Sequence, residues 1–313
     1  MNTLRFDDRV VIVTGAGRGI GRCHALSLAA RGAKVVVADY GVALNGTGTS
    51  TKPAQQVVKE IEAAGGAAVA CYASVADEAG ATSIVQTAVD TFGRLDVVIN
   101  NAGIGDPELF EDLTSEQFRR MCEVQYLGTV YVTKAAWPHF LAARSGRIVN
   151  TCSEGPLGIH ERMTSYGGAK GGVIGFTLAL AAEATKYGIA VNGFSPRAST
   201  RLSAPEVLAK VYDRPKEQFE KSMAVFPPEL ASPAAVYLAH ESCPLNGALL
   251  VCGGGQVIRM AVMQNQGITD AAMSVETIAA NLDKVIDMSD ARNIGVGAAV
   301  LPTASPAGED AHR

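Results

Sequence analysis

Tyr166 and Lys170 stand four apart in the stretch SYGGAK of this 313-residue chain, with Gly167, Gly168 and Ala169 between them. On a helix that spacing sets a phenol one turn from an ammonium, and the small residues clear bulk from the space around the pair. Surface tyrosines and solvated lysines meet the same spacing, so other residues must show whether this pair reacts. A second cluster, TGAGRGIG at 14–21, follows an apolar run and leads into a helix-like stretch. Its glycines at 15, 17, 19 and 21 allow a tight turn and let backbone amides and a helix N-terminus approach a pyrophosphate. Asp39 ends the next apolar run, 18 residues after Gly21. A carboxylate there accepts from the 2′- and 3′-hydroxyls of an adenosine ribose and repels a 2′-phosphate. No Arg occupies positions 38–41, so the pattern favours NAD over NADP. NNAG at 100–103 suits a strand end where backbone passes close to a ligand; alone it fits any turn.

These residues need elements to hold them. RVVIVTG (9–15), AKVVVAD (33–39), AAVACY (67–72), LDVVIN (95–100), GRIVNT (146–151), IAVNGF (189–194) and ALLVC (248–252) are nearly all apolar, as strands buried on both faces are. Helix-like stretches at 19–31, 53–64, 77–92, 114–143 and 164–187 alternate with them. That order predicts an α/β, doubly wound, seven-stranded and mostly parallel sheet with helices on both faces. One domain spans 1–255. YGVALNGTGTSTKP (40–53) is a long loop after the second strand. Residues 256–300 form a helical extension packed on the same domain or a partner subunit, with Ile278, Leu282, Val285 and Ile286 on one helix face. The stretch 301–313 reads as a disordered tail.

Composition excludes several classes. An apolar share of 48% with 19% charged residues reads as globular and not disordered. The net charge of −4, with no basic cluster, gives no reason to expect nucleic acid. The longest nearly apolar run, GGVIGFTLALAA at 171–182, is too short to span a bilayer. MNTLRFDDRV lacks the apolar core of a signal peptide. Six scattered cysteines, with no CxxC and no His at ligand spacing, read as reduced structural thiols and not a metal site. A cytoplasmic protein is expected.

TGAGRGIG, NNAG, Ser153 and YGGAK occur together and in this order. On that combination the chain, over residues 9–255, resembles the short-chain dehydrogenases/reductases. The resemblance implies a Rossmann fold and an oxidoreductase that interconverts a secondary alcohol and a ketone. It implies Tyr166 as acid/base, Lys170 as its partner and Ser153, 13 residues before Tyr166, as polariser of the substrate oxygen. A free phenol has a pKa of about 10; an ammonium one turn away, with the positive nicotinamide ring, favours the phenolate. Gly167, Gly168 and Ala169 then leave room for cofactor and substrate. The implied dinucleotide set adds Arg18, Ile20, Ser74, Val75, Asn101, Ala102, Gly103, Pro196, Ser199 and Thr200 to the glycines, Asp39, Tyr166 and Lys170. A homodimer or homotetramer is implied as well.

Three positions depart from the family pattern. Gln125 in VQYLG stands where the family uses an Asn for a water-mediated proton relay, so a modified relay is expected. Ala73 replaces the adenine-side Asp, with Ser74 beside it, and Pro196-Arg197 replaces Pro-Gly. The 40–53 loop, AAWPHF (135–140), LAHESCPLNGALLVCGGG (238–255) and the segment 268–295 are similar to the branch holding the (3R)-hydroxyacyl-CoA dehydrogenase units of multifunctional enzymes type 2. That branch implies an acyl-CoA or steroid-like alcohol as the small-molecule substrate; other secondary alcohols, terpene or xenobiotic, and a non-catalytic dinucleotide binder are the alternatives.

Overall fold

The apolar runs carry no alternation because each strand serves two cores. In the computed structural model, which describes residues 3–295, strand β1 (Val10–Thr14) turns Val11 and Val13 into one core and Val10 and Ile12 into the other. β2 (Lys34–Ala38), β3 (Ala67–Cys71), β4 (Val97–Asn100), β5 (Gly146–Thr151), β6 (Ile189–Pro196) and β7 (Leu249–Gly253) follow. These seven strands are parallel, in the order β3-β2-β1-β4-β5-β6-β7. The helices are α1 (Gly19–Ala29), α2 (Lys52–Ala63), α3 (Glu78–Phe92), α4 (Ser115–Cys122), α5 (Gly128–Ala143), α6 (Thr164–Ala184), α7 (Pro205–Tyr212), α8 (Glu217–Met223) and α9 (Ser232–Ala239). α1, α2 and α9 cover one face and α3, α5 and α6 the other. The strand order reverses between β1 and β4, and at such a switch point the carboxyl ends of the strands open a crevice for a ligand.

Two expectations are corrected. An eighth strand, β8 (Gln256–Met260), pairs antiparallel with β7 through Gly254 and Gly255, whose φ of 57° and 78° make the hairpin turn. It gave no burial signal because it is an edge strand, with Val257 and Ile258 exposed. The single helix expected around 278–286 is two short ones, α10 (Val275–Ala280) and α11 (Leu282–Ile286), interrupted at Asn281. Ile278, Leu282 and Ile286 lie exposed on them. A two-stranded pair, β9 (Met263–Gln264) with β10 (Arg292–Asn293), completes the extension. The expected tail at 301–313 lies outside the described residues. Among the described residues no helix is long and apolar enough to cross a membrane.

Candidate active site

β1 delivers the glycine turn to the switch point, and all four glycines are required there: a Cβ on Gly17 would lie 2.6 Å from Pro53 Cβ. Gly15 has φ +63° and Gly19 +52°, and a Cβ on Gly21 would lie 2.2 Å from the Gly15 carbonyl oxygen. α1 begins at Arg18 without a side-chain cap, so its first amides stay available to an anion. Asp39, at the end of β2, is fixed by two backbone donors: Gly17 N–H to Oδ2 and Gly41 N–H to Oδ1, both at 2.7 Å. Each carboxylate oxygen keeps a lone pair for a hydroxyl. Asn101 is committed to the scaffold, since its Nδ2 donates to the Thr14 and Gly15 carbonyls at 2.9 and 3.2 Å. The Ala102 N–H donates to Thr14 Oγ1 at 3.0 Å. Gly15, Arg18, Gly19, Ile20, Gly21, Asp39, Ser74, Val75, Asn101, Ala102, Gly103 and Thr200 all line one cleft of about 280 Å³. The 40–53 loop folds over it through Val42, Leu44 and Gly46, and the Leu44 carbonyl accepts from Gly105 N–H at 2.9 Å. These donors, the glycine cradle and the oriented carboxylate fit a dinucleotide.

A buried polar ladder sets the neighbouring helices. Asn100 Nδ2 donates to Thr133 Oγ1 and Asn150 Oδ1 at 3.0 and 2.9 Å, and Asn150 Nδ2 donates to Thr177 Oγ1 at 3.0 Å. It ties α5 and α6 to β4 and β5, which brings Lys170 to the end of β5. There Lys170 Nζ donates to the Thr151 carbonyl at 2.5 Å and lies 5.9 Å from the centre of the Tyr166 ring. Burial pulls the Lys170 pKa down to about 8. Ser153 Oγ accepts from Gly155 N–H at 3.0 Å, and a Cβ on Gly155 would lie 3.2 Å from the Tyr166 ring and 3.3 Å from Ser153 Oγ. The glycine lets the two hydroxyl-bearing residues converge.

Two readings change here. Burial raises the Tyr166 pKa, and the hydrogen bond with Ser153 only partly opposes it. The chain alone therefore holds the phenol protonated: Lys170 spends its hydrogen bond on a carbonyl and is itself desolvated. The space cleared by the glycines is also filled by protein. Gly167 faces the Gly155 carbonyl and Pro156, and Gly168 faces Phe118, while Ala169 is buried against Ile104 and Met121.

Gln125 sits 1% exposed in a π-helical turn, Glu123–Leu127, between α4 and α5. Such a turn re-aims one side chain inside an otherwise regular helix. Its Nε2 donates to the Ile104 carbonyl at 2.7 Å, while Oε1 is buried with no partner among the described residues. A cavity of about 260 Å³ adjoins, walled by Ser153, Tyr166, Pro196 and Thr200 with apolar residues of α7. Ser199 lies outside the walls of both cavities, its N–H held by the Phe226 carbonyl at 2.6 Å.

Sequence reasoning missed three sets of residues. Thr151 serves Lys170 through its backbone carbonyl, which no side-chain pattern reveals. Arg201 joins Arg18 beside Asp39: both guanidiniums donate to the Val42 carbonyl at 3.3 Å. Burial and the Arg18 charge lower the Arg201 pKa, with Asp39 opposing. Glu154 and Arg197 form an ion pair in the wall of the second cavity.

Comparison with known proteins gives the family. Residues 9–204 match the short chain dehydrogenase family model. The chain is 41% identical over 293 residues to a short-chain type dehydrogenase/reductase of Mycobacterium tuberculosis, covering 92% of this chain and 97% of that protein. It is 38% identical to the peroxisomal multifunctional enzyme type 2 of Mus musculus, over 92% of this chain and 38% of that enzyme's length. A crystal structure of a short chain dehydrogenase from Mycobacterium avium superposes with a TM-score of 0.74 at 35% identity, over 89% of this chain and 96% of that one. With its doubly wound sheet, its glycine turn and the meeting of Ser153, Tyr166 and Lys170, the chain belongs to the short-chain dehydrogenases.

Proposed function

We propose that the protein is an NAD-dependent dehydrogenase that interconverts a secondary alcohol and a ketone, with a 3-hydroxyacyl-CoA or hydroxysteroid-type substrate. The observation that carries this reading is the contiguity of the two cavities: Ile20, Thr200 and Leu202 wall both. A dinucleotide held at the glycine turn would extend toward the wall that carries Ser153 and Tyr166. The amides of the turn and of α1 would hold its pyrophosphate, Asp39 its adenosine ribose and Lys170 its nicotinamide ribose. When bound, the nicotinamide supplies the hydride acceptor and a positive ring. The chain does the rest. Ser153 donates to the substrate oxygen and fixes it. Tyr166 exchanges the proton of that oxygen at its own Oη. Lys170, 5.9 Å from the centre of the Tyr166 ring, would add its charge beside the phenol. Gln125 Oε1, with no partner among the described residues, would accept from a relay water, although Gln125 walls neither cavity.

The test is NADH formation with a panel of 3-hydroxyacyl-CoAs, hydroxysteroids and terpene alcohols, run with NAD and with NADP. Activity with none of the alcohols refutes the dehydrogenase reading, and equal use of both cofactors refutes the preference assigned to Asp39.

A further inference from the structure

Arg197, where the family pattern has glycine, is built into the substrate cavity with care. Its N–H donates to the Cys252 carbonyl at 2.8 Å, and a Cβ on Gly253 would lie 2.0 Å from the Arg197 carbonyl oxygen, so the β7 end is shaped to seat it. Its side chain meets Glu154 side-on: Nε donates to Oε2 at 2.8 Å and Nη2 to Oε1 at 2.7 Å. Paired hydrogen bonds of this kind lock the plane of the guanidinium. They also leave the Nη1 amino group with no acceptor among the described residues, on a side chain 39% exposed in the cavity wall.

Two other polar groups of that wall are engaged by protein, while His160 Nδ1 is buried with no partner among the described residues. Ser203 Oγ donates to the Ala198 carbonyl at 2.6 Å, and His160 Nε2 meets the Tyr212 hydroxyl at 3.4 Å. Much of the remaining wall is apolar, including Ile159, Met163, Val207, Leu208 and Val211. A charged donor held in one plane beside an apolar wall favours ligands that offer it an oxygen. Glu154 is the residue next to Ser153, one Cα–Cα step of about 3.8 Å away. Arg197, Ser153 and Tyr166 share the wall of one cavity, so a ligand held at Ser153 can present a second oxygen to Arg197.

We propose that Arg197, oriented by Glu154, is a substrate-recognition residue that donates from Nη1 to the thioester carbonyl of a 3-hydroxyacyl chain while Ser153 and Tyr166 hold the 3-oxygen. This rests on the dehydrogenase reading above and narrows its substrate class to β-oxygenated thioesters.

The test compares 3-hydroxybutyryl-CoA with 2-pentanol as substrates, with NAD. For Arg197→Met, the ratio of kcat/KM on the thioester to that on the simple alcohol should fall about 10- to 100-fold, the value of a hydrogen bond from a charged donor. Arg197→Lys should recover part of the ratio. Glu154→Gln, which frees the guanidinium without removing it, should give an intermediate fall. An unchanged ratio in Arg197→Met, with both substrates losing equally, overturns the inference and leaves a structural ion pair. Wild-type turnover of 2-pentanol without turnover of the thioester also overturns it, while the dehydrogenase reading stands. Wild-type failure on every alcohol overturns that reading and the inference with it.

Discussion

Lys170→Met should abolish dehydrogenase activity without weakening the fold by much, and its effect on stability should depend on pH in a defined direction. Lys170 is 3% exposed, and burial pulls its pKa from 10.5 to about 8. At about 1.4 kcal/mol per tenfold change in ionisation, the fold disfavours the charged form by about 3 kcal/mol at pH 7. The substitution relieves that cost and removes the hydrogen bond to the Thr151 carbonyl, worth about 1.5–3 kcal/mol for a charged donor. The two nearly cancel, so at pH 7 the variant should lie within about 1.5 kcal/mol of the wild type. The pH dependence follows from linkage. Between pH 8 and 10.5 the unfolded lysine holds a proton that the folded one has released, so wild-type stability from this group rises with pH. Met carries no proton. From pH 7 to pH 9.5 the wild type should therefore gain about 2 kcal/mol on the variant. Urea unfolding of both proteins, followed by circular dichroism at the two pH values, measures the gap. A gap that does not change with pH, or a variant that loses much more than 3 kcal/mol at pH 7, refutes the reasoning.

Tyr166→Phe should keep NAD binding, measured by fluorescence titration, and lose turnover by ~10²–10⁴-fold, the usual weight of general acid–base catalysis. Because burial holds the phenol protonated, wild-type alcohol oxidation should rise with pH; a flat rate profile above neutral pH would contradict this. Gln125→Met removes both the donor to Ile104 and the unpartnered Oε1, whose effects on stability oppose each other at about 1–3 kcal/mol each. Tm should barely move while turnover falls, and full activity would place the relay elsewhere. Arg201→Ala, which removes a guanidinium from the wall of the first cleft, should weaken NAD binding by up to about tenfold if that charge meets the dinucleotide. Unchanged binding would leave Arg201 holding only the 40–53 loop through Val42. Asp39→Ala should narrow the preference for NAD over NADP in competition binding.

Much of the scaffold was legible because its signals are local. β1, the glycine turn and α1 are consecutive, and each strand's two-sided burial is written as an unbroken apolar run. Tyr166 and Lys170 share one helix, so their spacing alone sets them a turn apart. β8 was missed because an exposed edge strand lacks the run that marked the others, and the break at Asn281 because the helical stripe continues across it.

What tertiary structure decided depends on residues far apart in the chain. Arg197 finds Glu154 across 43 positions only because β5 and β6 are neighbours in the sheet. Arg201 and Arg18 converge on Val42 because the β6 loop, the glycine turn and the 40–53 loop meet over one cleft. The pKa shifts of Tyr166 and Lys170 arise from desolvation, which depends on packing around the groups and not on their order. The sequence determined which chemical groups the protein owns and which local elements carry them. The fold decided which groups lose water and meet, and with that their ionisation and the shape of the substrate cavity.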